Sequence, residues 1–150
     1  MMQDILAKVN LHLSRAKLAR DELCVFKESL GVETFEDFEK VKTIDTFIYR
    51  FVKLQDMMGD KLFRIFLDKL GEYRDDMSLL DVLDKLEKLG ILEDSTRWMQ
   101  FRKLRNKLTH EYPSNEEEIV EGILLAIDAF VEIEKILLRV KKYIEMKNII

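Results

Sequence analysis

The spacing of apolar residues constrains this chain more than any other feature. Ile5, Val9, Leu13, Ala16, Leu23, Phe26 and Leu30 recur three, four or seven positions apart, the interval that lines up one face of an α-helix. A second run, Ile44, Phe47, Ile48, Phe51, Leu54, Met58, Leu62, Phe66 and Leu70, keeps the same spacing, as does a third from Ile119 through Ile123, Leu124, Ile127, Phe130, Val131, Ile133 and Leu137 to Val140. Five Gly and one Pro in 150 residues leave few positions able to break such runs. The pattern predicts an all-α chain, and short connections between long helices favour antiparallel neighbours, giving a four- to five-helix bundle. With 47% apolar residues, residues 1–150 suffice for one compact domain with its own core. The Met and Phe residues at helical spacing belong to that core.

Helix ends can be placed from local chemistry. Gly31 is suited to close the first helix in a left-handed conformation, and Thr34 to cap the short segment that follows. Gly59 offers a local bend in the second run, which ends at Gly71. Ser78 with Asp81 reads as a capping box opening a short helix that stops at Gly90. Asp94 or Ser95 caps the next helix, which Pro113 cannot continue. Ser114 with Glu117 reads as a second capping box, for a last helix over about residues 115–147.

Other features narrow the function. Cys24 is the lone cysteine, so it has no partner for an internal disulfide; lying among Leu23, Val25 and Phe26 it reads as a buried thiol in a reducing cytoplasm. No apolar run reaches the roughly 20 residues of a bilayer span, and the N-terminus lacks a signal peptide's apolar centre, so a cytoplasmic protein with no membrane role is expected. The net charge of −4 gives no global attraction to nucleic acid. One local patch does: Arg97, Arg102, Lys103, Arg105 and Lys107 carry no acid among them. There is no HExxH, zinc-spaced Cys/His set, phosphate loop or GxSxG, so metal-independent chemistry without a cofactor is what remains. His12, beside Leu11 and Leu13, reads as a surface or core-edge residue.

The basic stretch ends in RNKLTHEYP, residues 105–113. At about 100° per residue, Trp98, Phe101, Leu104 and Leu108 form the buried side of this helix, with Arg105 at its edge. Asn106 and His110 project about 40° apart but roughly 100–140° round from Arg105. One straight helix therefore cannot aim Arg105 and His110 at one small target. Either the last turn unwinds before Pro113, or a second copy of the helix, brought by a twofold axis, completes the site. Each residue also has an ordinary role: Arg105 paired with a neighbouring carboxylate, His110 favoured at a helix C-terminus, Tyr112 as a core aromatic, the basic run as a solvated face.

Together the residues suit cleavage of RNA by its own 2′-hydroxyl. That reaction needs a base, stabilisation of a phosphorane-like transition state and a proton donor for the leaving oxygen. Arg105 offers a charged planar fork for phosphate oxygens and His110 an imidazole able to exchange protons near neutrality. Asn106 is placed to hold imidazole or phosphate, and Arg102, Lys103 and Lys107 to hold a single-stranded backbone in a salt-dependent way.

Arg105, Asn106, Thr109, His110, Glu111 and Tyr112 resemble the Arg, any four, His, any one, Tyr signature of HEPN (higher eukaryotes and prokaryotes nucleotide-binding) proteins, in their HepT-like toxin branch. The preceding LGILEDSTRWMQFRKL is similar to that branch's segment, with an aromatic seven residues before the Arg. The resemblance implies a HEPN-like helical-bundle homodimer whose facing motifs form a metal-independent ribonuclease, with Arg105 and His110 catalytic and Asn106 and Thr109 supporting. It also implies an MntA-like nucleotidyltransferase antitoxin that silences the toxin by transferring AMP to Tyr112. A related branch, substrate-binding subunits of nucleotidyltransferases, shares the fold and implies a non-catalytic alternative. The tail KKYIEMKNII has no counterpart in this resemblance.

Overall fold

The computed structural model describes residues 1–110 and 115–149, and every regular element among them is helical. Helix α1 spans Met2–Val25, α2 Phe38–Met57, α3 Phe63–Lys69, α4 Leu79–Lys88, α5 Ser95–His110 and α6 Glu116–Lys147. A π-helical turn, Met58–Leu62, joins α2 to α3 without a break, so the described residues form five helical rods. Two 3-10 turns, Lys27–Ser29 and Val32–Glu36, link α1 to α2.

Side-chain pairs give the helix directions. His12 meets Arg50 and Glu22 meets Thr43, so α1 and α2 run antiparallel. Lys17 reaches Glu134 and Lys141 reaches Asn10, which sets α1 against α6 in the same sense. Arg97 bonds Glu132, while a Cβ on Gly122 would lie 3.0 Å from Leu108 Cδ2, so α5 and α6 are antiparallel and close together where position 122 has no side chain. Arg105 bonds Asp56 and Trp98 lies against Gly59, aligning α5 with α2. These four helices surround one core, and α4 packs against α3 and α5. Phe47 and Phe130, both fully buried, meet edge to face at 6.2 Å between α2 and α6. Burying a side chain of that size contributes about 1.5–3 kcal/mol.

The capping box at α4 is present: Ser78 Oγ accepts from Asp81 N at 3.1 Å, and Ser78 N donates to Asp81 Oδ2 at 3.0 Å. Gly71 and Gly90 follow α3 and α4 with φ of +73° and +79°, the left-handed conformation that favours glycine. Gly31 differs from expectation. Its φ of −166° is extended, and α1 has already ended at Val25 with Phe26 as its C-terminal cap. Phe26 and Leu30 still pack on the core, but through 3-10 turns, whose three-residue period imitates helical spacing in the sequence. Asp37 caps α2 by accepting from Glu39 N, while Thr34 Oγ1 accepts from Gly31 N within the preceding turn. The α6 cap is Asn115, whose Oδ1 accepts from Glu118 N at 3.3 Å, one residue beyond the position expected; Ser114 lies outside the described residues.

Cys24 is exposed, contrary to the buried thiol expected from its apolar neighbours. The buried line of α1 is Val9, Ala16, Ala19 and Leu23, and one residue beyond Leu23 rotates the side chain about 100° off that line. Val131 is half exposed as well, although it keeps the spacing of the α6 core stripe. Among the described residues no helix is long and apolar enough to cross a membrane.

Candidate functional site

Helix α5 is fixed at its start and along one face. Asp94 Oδ1 accepts from Thr96 N at 2.9 Å and Thr96 Oγ1 at 2.7 Å, and Ser95 N donates to Glu87 Oε1 at 2.8 Å. The bonds from Thr96 hold the Asp94 carboxyl below the ordinary carboxylate range. Trp98 is buried, edge to face with Phe63 of α3 at 4.8 Å and with Phe101 at 5.9 Å. An ideal Cβ on Gly59 would lie only 3.4 Å from Trp98 Nε1, so the glycine in the π turn lets the indole lie against the backbone. Residues four, seven and eight beyond Trp98 then share its side of the helix. They are Arg102, Arg105 and Asn106.

These residues form one wall of a cleft of about 220 Å³; Gln55 and Asp56 of α2, with Gly59 and Asp60 of the π turn, form the other. Arg105 crosses it. Its Nε donates to Asp56 Oδ1 at 3.0 Å and its Nη2 to Asp56 Oδ2 at 2.8 Å, a two-pronged pair, while Nη1 donates to Asn106 Oδ1 at 3.2 Å. The bond to Asp56 raises the guanidinium pKa above its already high ordinary value, so Arg105 is permanently charged. Both partners are partly open to solvent, 25% and 35%, so the pair contributes no more than about 1 kcal/mol to stability. Its larger effect is to orient the fork. Three of the five guanidinium N–H groups are used, leaving two without partners among the described residues.

The structure therefore brings Arg102, Arg105 and Asn106 together and leaves the other expected site residues elsewhere. His110 is exposed on the last residue of α5 and does not line the cleft. The helix stays regular through His110, so unwinding before that residue does not bring the imidazole to Arg105. Thr109 is exposed, and its Oγ1 donates to Arg105 O at 2.9 Å, a bond within the helix. Lys103 is exposed and Lys107 half-buried, and neither lines the cleft. Tyr112 lies outside the described residues. Arg97, at the start of the basic run, is neutralised by Glu132 of α6, with Nε to Oε1 at 3.0 Å.

No family model, curated protein or solved structure gives a significant match to this chain. Its site is defined by its own side chains alone.

Asp56, Asp60 and Gln55 were not singled out from the sequence. A signal for them exists: the helical run around Gly59 is apolar on its inner face except at Gln55, and Asp56 and Asp60 sit one turn apart beside it. Gln55 is buried, and neither Nε2 nor Oε1 has a hydrogen-bond partner among the described residues. An unpaired buried polar group of this kind costs about 1–3 kcal/mol. Among the described residues no group of three His, Cys, Asp or Glu side chains is placed to hold a metal ion.

His12, at the core edge as expected, has a distinct environment. Its Nδ1 lies 3.1 Å from Arg50 Nη1, and because a guanidinium only donates, Nδ1 accepts and the ring is neutral. Burial first, then the charges of Arg50, Lys53 and Arg15, hold its pKa below the ordinary 6.5. The unfolded chain thus binds this proton more readily than the folded one. The stabilisation is complete above about pH 6.5 and is lost as pH falls through the lowered folded value. Urea titrations at pH 7.5 and 5.0 should show wild type losing more stability than His12→Gln. An equal loss in both proteins would rule out the arrangement.

Proposed function

We propose that this chain is a HepT-like, HEPN-type toxin ribonuclease that cleaves RNA without a metal, acting as a homodimer in the cytoplasm. The observation that carries the reading is the Arg105 guanidinium, clamped by Asp56 in the cleft with two N–H groups without partners among the described residues. A charged, pre-oriented donor pair stabilises developing charge on phosphate oxygens without reorganising during the reaction. His110 supplies proton transfer. It takes the 2′-hydroxyl proton as that oxygen attacks phosphorus, the P–O5′ bond breaks, and the leaving oxygen is protonated, giving a 2′,3′-cyclic phosphate and a 5′-hydroxyl. Because α5 is regular through His110, the imidazole of one chain works with the guanidinium of the other across a twofold cleft. Arg102, Lys103 and Lys107 hold the strand, a contribution that weakens with salt. An MntA-like nucleotidyltransferase antitoxin modifies Tyr112 with AMP and silences the enzyme.

A second reading, a non-catalytic substrate-binding subunit of a minimal nucleotidyltransferase, is favoured by one observation. Asp56 occupies the guanidinium edge best shaped to grip a phosphate, and Asp60 adds a negative charge beside it. Purified protein incubated with single-stranded RNA in excess EDTA separates the two. The ribonuclease produces fragments ending in 2′,3′-cyclic phosphate, and Arg105→Lys reduces the rate at least about 10-fold because an ammonium lacks the planar fork. Intact RNA, with the protein bound stably to a small nucleotidyltransferase, establishes the second reading instead.

A further inference from the structure

Arg20, Arg74, Arg97, Arg105 and Arg139 each pair with a carboxylate. Arg15 and Arg50 make no such pair among the described residues. In place of an acid, Arg50 has a histidine. Its Nη1 donates to His12 Nδ1 at 3.1 Å between α2 and α1, and its guanidinium carbon lies 5.1 Å from the centroid of the Tyr49 ring. Lys53, one turn beyond Tyr49, places its Nζ 5.6 Å from the same centroid. Burial first, then the charges of Arg50, Lys53 and Arg15, lower the His12 pKa, so three cations act on one neutral imidazole. Arg15, Lys53 and Tyr49 are exposed and Arg50 is half-buried. A cluster of like charge without acids repels itself and does nothing for the fold, but it attracts an anion.

We propose that Arg15, Arg50 and Lys53 hold a backbone phosphate of single-stranded RNA on the outer side of α2, away from the Arg105 cleft. The inference rests on the reading of this chain as a ribonuclease and gives its substrate a second point of attachment. A phosphate offers only acceptors, which suit two guanidinium groups and an ammonium. His12 is a positioning residue: it accepts one N–H of Arg50 while Tyr49 lies against the guanidinium, so the fork is oriented before the anion arrives. Its other N–H groups have no partner among the described residues. The placement favours a strand. Lys53 and Arg50 precede Asp56, the clamp of Arg105, by three and six residues, about 4.5 and 9 Å along the helix axis. Arg50 meets α1 through His12 and Asp56 meets α5 through Arg105, so a chain crossing α2 joins the two places. Acids bound this path on both sides. Glu22 and Glu39 line the far end of the groove between α1 and α2, where Lys42 is already paired with Glu39, and Asp60 lies one turn past Asp56.

Fluorescence anisotropy with a labelled single-stranded RNA of about 16 nucleotides, read at pH 7.5 over a range of salt, tests it. The triple variant Arg15→Gln, Lys53→Gln, Arg50→Gln should bind at least about 10-fold more weakly at low salt, and the slope of log affinity against log salt should fall by about 2. If the triple variant fails to fold, the double variant at the exposed Arg15 and Lys53 should lower the slope by about 1.4. His12→Ala should weaken binding about 3-fold with the wild-type slope, because a neutral acceptor makes no ion contact, and His12→Gln should restore it through an amide oxygen that accepts from Arg50. Cleavage of a dinucleotide, too short to reach across α2, should be unchanged in the triple variant while KM for the long RNA rises. Wild-type affinity and slope in the folded triple or double variant overturn the inference. So does a loss of binding to phosphatidylserine vesicles with RNA binding unchanged, which would assign the face to a lipid surface. Salt-dependent RNA binding through these cations without any cleavage leaves the site standing and removes the ribonuclease. Cleavage with an unchanged slope removes only the site.

Discussion

Replacing His110 with alanine is expected to slow metal-independent RNA cleavage by about 10²–10⁴-fold, the range lost when a positioned proton-transfer group is removed. The fold should not notice. His110 is exposed on the last turn of α5, so its removal touches no core contact and should move the thermal midpoint by no more than about 2 °C. A mixing experiment sharpens the test. Arg105→Lys and His110→Ala homodimers each lack one component at both sites. After subunit exchange about half of the dimers are mixed, and each mixed dimer has one site that takes Arg105 from one chain and His110 from the other. About a quarter of wild-type activity should return. No recovery on exchange would show that the two side chains do not serve one site from opposite subunits.

The angular divergence that motivates that test is legible in the sequence. The divergence of Arg105 and His110 follows from about 100° per residue in a regular helix, and α5 is regular over both. The rods were legible for the same reason: burial selects one face, and the face appears as a period. The capping box at Ser78 and the glycines after α3 and α4 were legible because their chemistry is local. What could not be read is what faces what. Asp56 lies 49 positions from Arg105, and a helical projection gives angles about one axis without naming the neighbouring rod. Gln55 is seen to underlie the cleft only once α5 is laid across α2; Cys24 is exposed despite its apolar neighbours in sequence, and Gly31 follows a 3-10 turn whose spacing continues that of a helix already ended.

Trp98→Ala tests how α5 is held across α2. Trp98 is 1% exposed, touches Phe63 and Phe101 edge to face, and lies against Gly59 where the π turn carries no side chain. Deleting a buried indole removes its transfer free energy and leaves a cavity, a loss of about 3–5 kcal/mol. For a chain of this size that lowers the thermal midpoint by roughly 6–20 °C, read by circular dichroism because the only tryptophan is gone. Trp98→Phe should lose less, since a smaller ring still meets Phe63. The local consequence is sharper than the global one. Asp56 and Asp60 flank the backbone that the indole packs against, and Arg102, Arg105 and Asn106 follow it on the same helix, so both walls of the cleft are set through this one ring. Temperatures well below the variant's midpoint should therefore show weakened RNA binding in a chain that is still helical. A loss of less than about 1 kcal/mol would mean that α5 is not anchored here, and that the Asp56–Arg105 geometry rests on something other than Trp98.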